Sequence, residues 1–364
     1  MQKKIIALAL AGLASSAAFA QSNVTIYGIA DYGYSYRWDA ENRTTGQHTR
    51  SGLDSGQQSG NRIGFKGTED LGNGLKAVFL LEQGFNFDNS ENHSSGIYGR
   101  QAYVGLTGGF GTLIGGKLYT PHFSFISAVE PFAAGTTGNY GNVWGAGLMN
   151  ATRVNNAVAY VSPSFGGLDV TLAYSNSALA AEDNGDNAKN NTVYAGLVKY
   201  SAGAVLAGVN MHRIAAGSAL NTTKTVDSIT AGGTFDAKVV KLAALVGYTK
   251  ADMVAAGADQ SITNYMLGAT VPVGKVALKT SVIYSDGNRA AGGDATQYTV
   301  GADYSLSKRT NLYSSYSLID GQSTRAGTNA YALGDATAGA TTAGAAAANN
   351  PYQQGLVVGV RHQF

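Results

Sequence analysis

The chain has 364 residues, with 49 glycines, 21 tyrosines, five prolines, no cysteine and a formal charge of +2 at pH 7. Without cysteine there is no thiolate catalysis, zinc–thiolate centre or disulfide scaffold. Near-neutral charge argues against a nucleic-acid partner, which takes a basic excess.

Residues 1–20 read as an export signal. Lys3 and Lys4 form a basic start, Ile5 to Leu13 an apolar stretch, and Ala18-Phe19-Ala20 an A-x-A-like cleavage site. The expected mature chain, 21–364, is a single β-barrel domain. Without Lys3 and Lys4 the 25 basic residues become 23, equal to the 23 acidic ones. The apolar stretch is shorter than the ~20 residues of a spanning helix, and every later apolar run is broken by polar residues or glycine. A helical membrane protein is thereby excluded; an exported soluble protein and a β-barrel both stand.

Alternation of polarity runs through the rest of the chain. Val240, Leu242, Ala244, Val246 and Tyr248 share one face of a strand. Between 275 and 284, Val276, Leu278, Thr280, Val282 and Tyr284 oppose Lys275, Ala277, Lys279, Ser281 and Ile283. Tyr298, Val300, Ala302 and Tyr304 repeat the pattern. Successive side chains of a strand point to opposite faces, so each segment has one apolar side and one polar side. Tyr32, Tyr34, Tyr36, Tyr248, Tyr284 and Tyr304 lie at strand ends on the apolar side. That placement suits the aromatic girdles of a membrane barrel better than a sandwich core.

Connections alternate in length. Short turns are predicted at 69–74, 107–111, 163–167, 201–204, 236–238, 272–274 and 307–310. Longer polar loops are predicted at 38–60, 88–98, 120–151, 176–190, 213–225, 250–260, 286–295 and 319–353. Seven turns and eight loops join sixteen antiparallel strands, with the asymmetry of short periplasmic turns and long outer loops. The loop 120–151 is far longer than an ordinary connection and carries His122-Phe123-Ser124-Phe125-Ile126, enough apolar surface to pack on something. The Ala-, Gly- and Thr-rich stretch 336–350 reads as a mobile surface loop. In the last strand Phe364, His362, Val360, Val358 and Leu356 share a face, ending the chain on a lipid-facing aromatic.

The motifs resemble those of the general porins of Gram-negative proteobacteria, most closely the β-proteobacterial type, over the whole expected mature length. They are Asn23-Val24-Thr25-Ile26-Tyr27-Gly28, Arg62-Ile63-Gly64-Phe65-Lys66-Gly67, Gly99-Arg100-Gln101-Ala102, Tyr119-Thr120-Pro121, Ser307-Lys308-Arg309-Thr310 and Arg361-His362-Gln363-Phe364. The resemblance implies a sixteen-stranded barrel, a homotrimer, and a third loop (120–151) folded into the lumen as a constriction. The surroundings would be outer-membrane lipid and lipopolysaccharide, and the cargo small hydrophilic solutes and ions. It also implies a basic constriction wall at Arg62, Arg100 and Arg153. Alternation agrees for Arg62, which shares a face with Gly64 and Lys66 while Ile63 and Phe65 point away.

Lys66 and Lys117 are candidate additions to that wall. Glu130, the one carboxylate in 120–151, and Glu82 and Asp31 are candidate acidic members. One acid on the loop against several bases on the wall predicts modest anion preference. A substrate-specific channel for a dicarboxylate, phosphate or sugar, and a surface-recognition barrel, are the alternatives. No enzyme, cofactor or metal site is expected: the histidines at 48, 93, 122, 212 and 362 are scattered without metal-ligand spacing. Gly108-Gly109-Phe110-Gly111 and Gly115-Gly116-Lys117 lack the phosphate-loop spacing and read as turn and strand glycines.

Overall fold

A computed structural model describes residues 23–40, 49–89, 96–144, 152–178, 192–215, 223–253, 259–288, 294–321 and 352–364. The expected export signal (1–20) and the loop stretch 336–350 lie outside the described residues. Seventeen strand segments follow in chain order: β1 (Asn23–Ala40), β2 (Arg50–Ser55), β3 (Arg62–Gly72), β4 (Leu75–Gly84), β5 (Gln101–Gly108), β6 (Gly111–Tyr119), β7 (Arg153–Val161), β8 (Leu168–Ser175) and β9 (Thr192–Ala202). They continue as β10 (Val205–Ala215), β11 (Thr223–Asp236), β12 (Lys241–Met253), β13 (Gln260–Val273), β14 (Val276–Asn288), β15 (Ala295–Ser305), β16 (Thr310–Gly321) and β17 (Tyr352–Gln363). One helix, α1 (Pro121–Val129), lies between β6 and β7.

Neighbours in sequence pair antiparallel, and β17 returns to β1 with Asp31 opposite Arg361 and Tyr36 opposite Leu356. Closure leaves no free edge, the condition for strands to cross a bilayer with every backbone group paired. β2 and β3 both pair with β1, β2 along its outer half and β3 along its inner half. They form one interrupted stave, so the barrel has sixteen. The sequence pattern placed 50–55 in a polar loop; Asp54 is what makes it a strand. It takes two bonds from Arg50, at 2.5 and 2.8 Å, and one from the Ser35 hydroxyl of β1.

The seven short turns fall at the predicted places. At Gly72-Asn73-Gly74 all three φ angles are positive (88°, 52°, 77°), which explains the glycines flanking the asparagine. The predicted outward faces are the exposed ones. Leu278, Val282, Tyr298, Val300 and Tyr304 all face out, as do Leu356, Val358, Val360 and Phe364 on the last strand. These side chains meet lipid. The core lies inside the barrel, against the third loop.

Candidate functional site: the lumen constriction

The third loop starts as a capped helix. Thr120 accepts from the Phe123 N–H at 3.1 Å, and Pro121 opens the first turn. Phe125, Ile126 and Val129 of α1, with Tyr140, Val143 and Trp144 farther along, pack on Leu197, Ala243, Leu245, Met266 and Ile283, which face inward from the wall. Burying each large side chain contributes about 1.5–3 kcal/mol, so this seat fixes the loop across the lumen. Glycines let the loop lie close. A Cβ on Gly247 would stand 2.6 Å from the Trp144 ring, and one on Gly268 2.6 Å from Pro131.

At the tip, Ala133, Ala134 and Thr136 all have positive φ, a costly state for residues with a side chain. The Glu130 carboxylate holds this turn by accepting the Phe132 and Ala134 N–H groups, at 3.0 and 3.1 Å. Burial pushes its pKa up to about 7, against those hydrogen bonds and the charge of Lys279. Glu130 is therefore enclosed in its own loop rather than turned toward the arginines. The tip is also tied to the first loop, where the Gln57 carbonyl accepts the Thr136 N–H at 2.5 Å.

On the β3–β7 side the three arginines converge on two acceptors. Glu82 of β4 takes Arg100 Nε at 2.8 Å and the Tyr27 hydroxyl at 2.9 Å, with an Arg62 nitrogen at 3.8 Å. The Tyr119 hydroxyl accepts one N–H each from Arg100 and Arg153, both at 2.9 Å, and the Arg153 guanidinium lies 4.6 Å from the Tyr119 ring centre. Phe123 of α1 also stacks on Tyr119, its ring centre 5.0 Å away. The aromatic pair thus joins the helix to the arginines. Three guanidiniums against one carboxylate leave two positive charges in excess. Arg100 and Arg153 are held by these short bonds and Arg62 Nε donates to the Gly60 carbonyl at 2.9 Å, so all three are in place before a solute arrives.

The other candidates lie apart from this cluster. Lys66 is exposed, 5.3 Å from the Tyr27 ring centre, four residues nearer the periplasmic turn than Arg62. Lys117, two residues before Tyr119, is half-buried and within the electrostatic reach of Arg153. Asp31 faces inward as predicted but is wholly buried. It accepts from the Gln58 and Ser59 N–H groups at 2.8 and 2.5 Å and from the Tyr313 hydroxyl at 2.6 Å. Its carboxylate anchors the end of the first loop to the wall. Phe364 pairs its backbone with Gly28, closing the barrel at its base, and His362 Nδ1 lies 2.9 Å from Thr310 Oγ1.

Sequence reasoning missed Tyr27, Tyr119 and the infolded segment 57–61. Tyr27 could have been found, since it shares parity with Asp31. Tyr119 could not, because it shares parity with the outward-facing Leu113 and reaches the arginines only at the very end of β6, where the chain turns into α1. Also missed was the opposite wall, where Lys279 and Asp303 pair at 2.6 Å and Gln58 donates to Asp303 at 2.7 Å. Among the described residues no group of three or more His, Asp or Glu side chains could hold a metal ion.

The family model for Gram-negative porins matches residues 7–324. The chain belongs to the Gram-negative porin family. It is similar to outer membrane porin protein 32 of Delftia acidovorans, at 34% identity over the full length of both chains. It is also similar to an outer membrane porin of Bordetella pertussis, at 32% identity over 86% of this chain and 93% of that one. Among solved structures it resembles the anion-selective porin from Comamonas acidovorans, with a TM-score of 0.77, 30% identity, and coverage of 94% of this chain and all of that one. This porin is an outer-membrane protein, and its barrel is a water-filled channel through which small hydrophilic solutes and ions diffuse. Its relatives are channels rather than enzymes.

Proposed function

We propose that this porin prefers anions modestly, that Arg62, Arg100 and Arg153 set the preference, and that it works as a homotrimer. The carrying observation is the convergence of three guanidiniums on Glu82 and Tyr119, while Glu130, the one acid on the constricting loop, is enclosed by loop backbone. A cluster of fixed positive charge on one wall of a narrow, low-dielectric passage raises the local anion concentration and opposes cations. Glu82 and Tyr119 keep the arginines extended rather than folded onto one another, so the field acts without closing the lumen. Lys66 and Lys117 extend the basic surface from the cluster toward the periplasmic turns. The trimer rests on membership of the family and on the sequence resemblance.

Reversal potentials across a planar bilayer under a KCl gradient test the preference. The expected sign is that of chloride permeating faster than potassium, with conductance appearing in three coupled steps. Clear potassium selectivity would overturn the charge assignment, and single uncoupled steps the trimer.

A further inference from the structure

On β10 the side chains alternate between the outer surface and the third loop. Met211 and Arg213 are exposed, while Asn210, His212 and Ile214 are buried and face inward. α1 lies across this wall and brings His122, in its first turn, against His212. The two rings are 5.0 Å apart, centre to centre, at 75° to each other. Beside them is a largely enclosed cavity of about 10 Å³, room for one water-sized guest. Thr120 also lines it, and Val154, Val193 and Ile214 make the rest apolar. Aliphatic side chains would seat a helix here without burying polar atoms, as Phe125 and Ile126 do one turn later. Two buried imidazoles side by side need a reason of another kind.

Their spacing supplies one. A zinc–nitrogen bond is ~2.0 Å and the nitrogen lies ~1.1 Å from the ring centre, so two imidazoles at a tetrahedral angle have centres ~5 Å apart. A linear pair would stand ~6 Å apart by the same bond lengths. The outer hydrogen bond is also in place. His212 Nδ1 lies 3.5 Å from Asn210 Oδ1, and Asn210 is held in turn by its Nδ2 donating to the Gly196 carbonyl at 3.0 Å. That contact puts the His212 proton on Nδ1 and leaves the Nε2 lone pair for a metal ion. A neutral His122 likewise keeps one lone pair, whichever nitrogen carries its proton. We infer that His122 and His212 bind zinc, with water or anions completing a tetrahedral site, and that the ion pins the first turn of α1 to β10. No carboxylate among the described residues lines the cavity, so Mg²⁺, which takes oxygen ligands, has no partner here. With two protein ligands and the positive arginine cluster nearby, the site is an exchangeable one, filled from the medium and emptied by chelators. Phe123, next in the chain, stacks on Tyr119, so pinning His122 also steadies the residue that orients Arg100 and Arg153.

The test uses the full-length porin, refolded in detergent and freed of metal with a chelator. Calorimetric titration should show saturable binding of one Zn²⁺ per protomer and none of Mg²⁺. His122→Gln and His212→Gln should each weaken zinc binding at least about tenfold, the least that loss of even an outer-shell partner brings. His362→Gln, on the last strand, should bind as the parent does. X-ray absorption of the zinc-loaded parent should show two imidazole nitrogens at ~2.0 Å, with oxygen or chloride in the other positions. In bilayers, zinc should lower the open-channel noise of the parent and leave that of His212→Gln unchanged; conductance without zinc shows that the variants are folded. The proposal is overturned by absence of saturable zinc binding, by unchanged binding in the His122 and His212 variants, by an absorption spectrum without two imidazoles, or by an equal effect of zinc on noise in His212→Gln. The absorption measurement on the parent chain decides the matter even if a variant does not refold.

Discussion

The two inner walls of the barrel are built on opposite rules. The β3–β7 wall turns charge toward water: Arg62, Arg100 and Arg153 are ordered by Glu82, Tyr27 and Tyr119. The β9–β15 wall offers the loop an apolar seat, with buried polar side chains such as Gln297 bonded to the loop beside it. Leu197, Leu245, Met266 and Ile283 face inward there, with glycines where the loop comes nearest. Under the loop a lumen position is either packed as in a protein core or, like Gln297 and Ser315, buried and hydrogen-bonded to the loop. One wall sets the field and the other sets the width.

Removing the field should have the largest effect on permeation. In Arg62→Gln/Arg153→Gln, Arg100 and Glu82 remain a bonded pair and the excess positive charge at the constriction disappears. Anion preference should vanish or reverse in KCl-gradient reversal potentials, with conductance near the parent value because neither substitution adds bulk. Retention of the parent preference would place the selecting charge elsewhere, for example at Lys66 or Lys117.

Disturbing the seat comes next. Gly268→Val puts branched carbons where Pro131 already lies, and overpacking of this kind costs about 1–3 kcal/mol. The loop tip should be pushed into the lumen, lowering single-channel conductance and slowing uptake of larger solutes while leaving the sign of selectivity unchanged. If selectivity changed and conductance did not, the division between field and width would be wrong.

Tyr119→Phe probes the junction of the two. The ring keeps its contacts with Phe123 and Arg153, but the hydroxyl that orients two guanidiniums is lost. A hydrogen bond to a charged group contributes about 1.5–3 kcal/mol, so the arginines should become mobile. The expected reading is a smaller anion preference with increased open-channel noise at unchanged mean conductance.

The difference between the walls also explains what could be seen in the sequence. Alternation and turn spacing were enough for the staves, because lipid imposes one rule on every outward position from Leu278 to Phe364. Arg62 was placed by parity. Ile283, in contrast, sits on the face that carries Lys279 and Ser281, and only the loop lying against it accounts for an apolar residue there. The segment 57–61 folds inward because the buried Asp31 collects its N–H groups, a contact between residues 27 and 28 positions apart that no local pattern announces. Glu130 looked like a partner for the arginines because it is the single acid in the loop. Its actual partners are the N–H groups two and four residues ahead, needed because the tip turns through three left-handed residues.

That last arrangement makes Glu130→Gln the gentlest test. Burial raises the carboxyl pKa from the ordinary 4.5 to about 7 when the loop is seated. Between those values the seated loop holds a proton that a released loop has lost, so seating weakens as pH rises from 4.5 to 7 and levels off above. Phe132 and Ala134 donate to different carboxylate oxygens, so glutamine keeps an acceptor for one of them, turns its NH2 toward the other, and cannot titrate. In the parent porin, open-channel noise from loop motion should therefore grow across that pH window. In the variant it should be flat with pH, at a level set by the one N–H group that glutamine leaves without an acceptor. The effect is small because the ionised carboxylate still accepts both N–H groups, so charge changes how firmly the tip is held and not where it lies. Noise that grew as pH fell would mean that the ionised form is the one holding the turn, and the burial of Glu130 would then be overcome by Lys279.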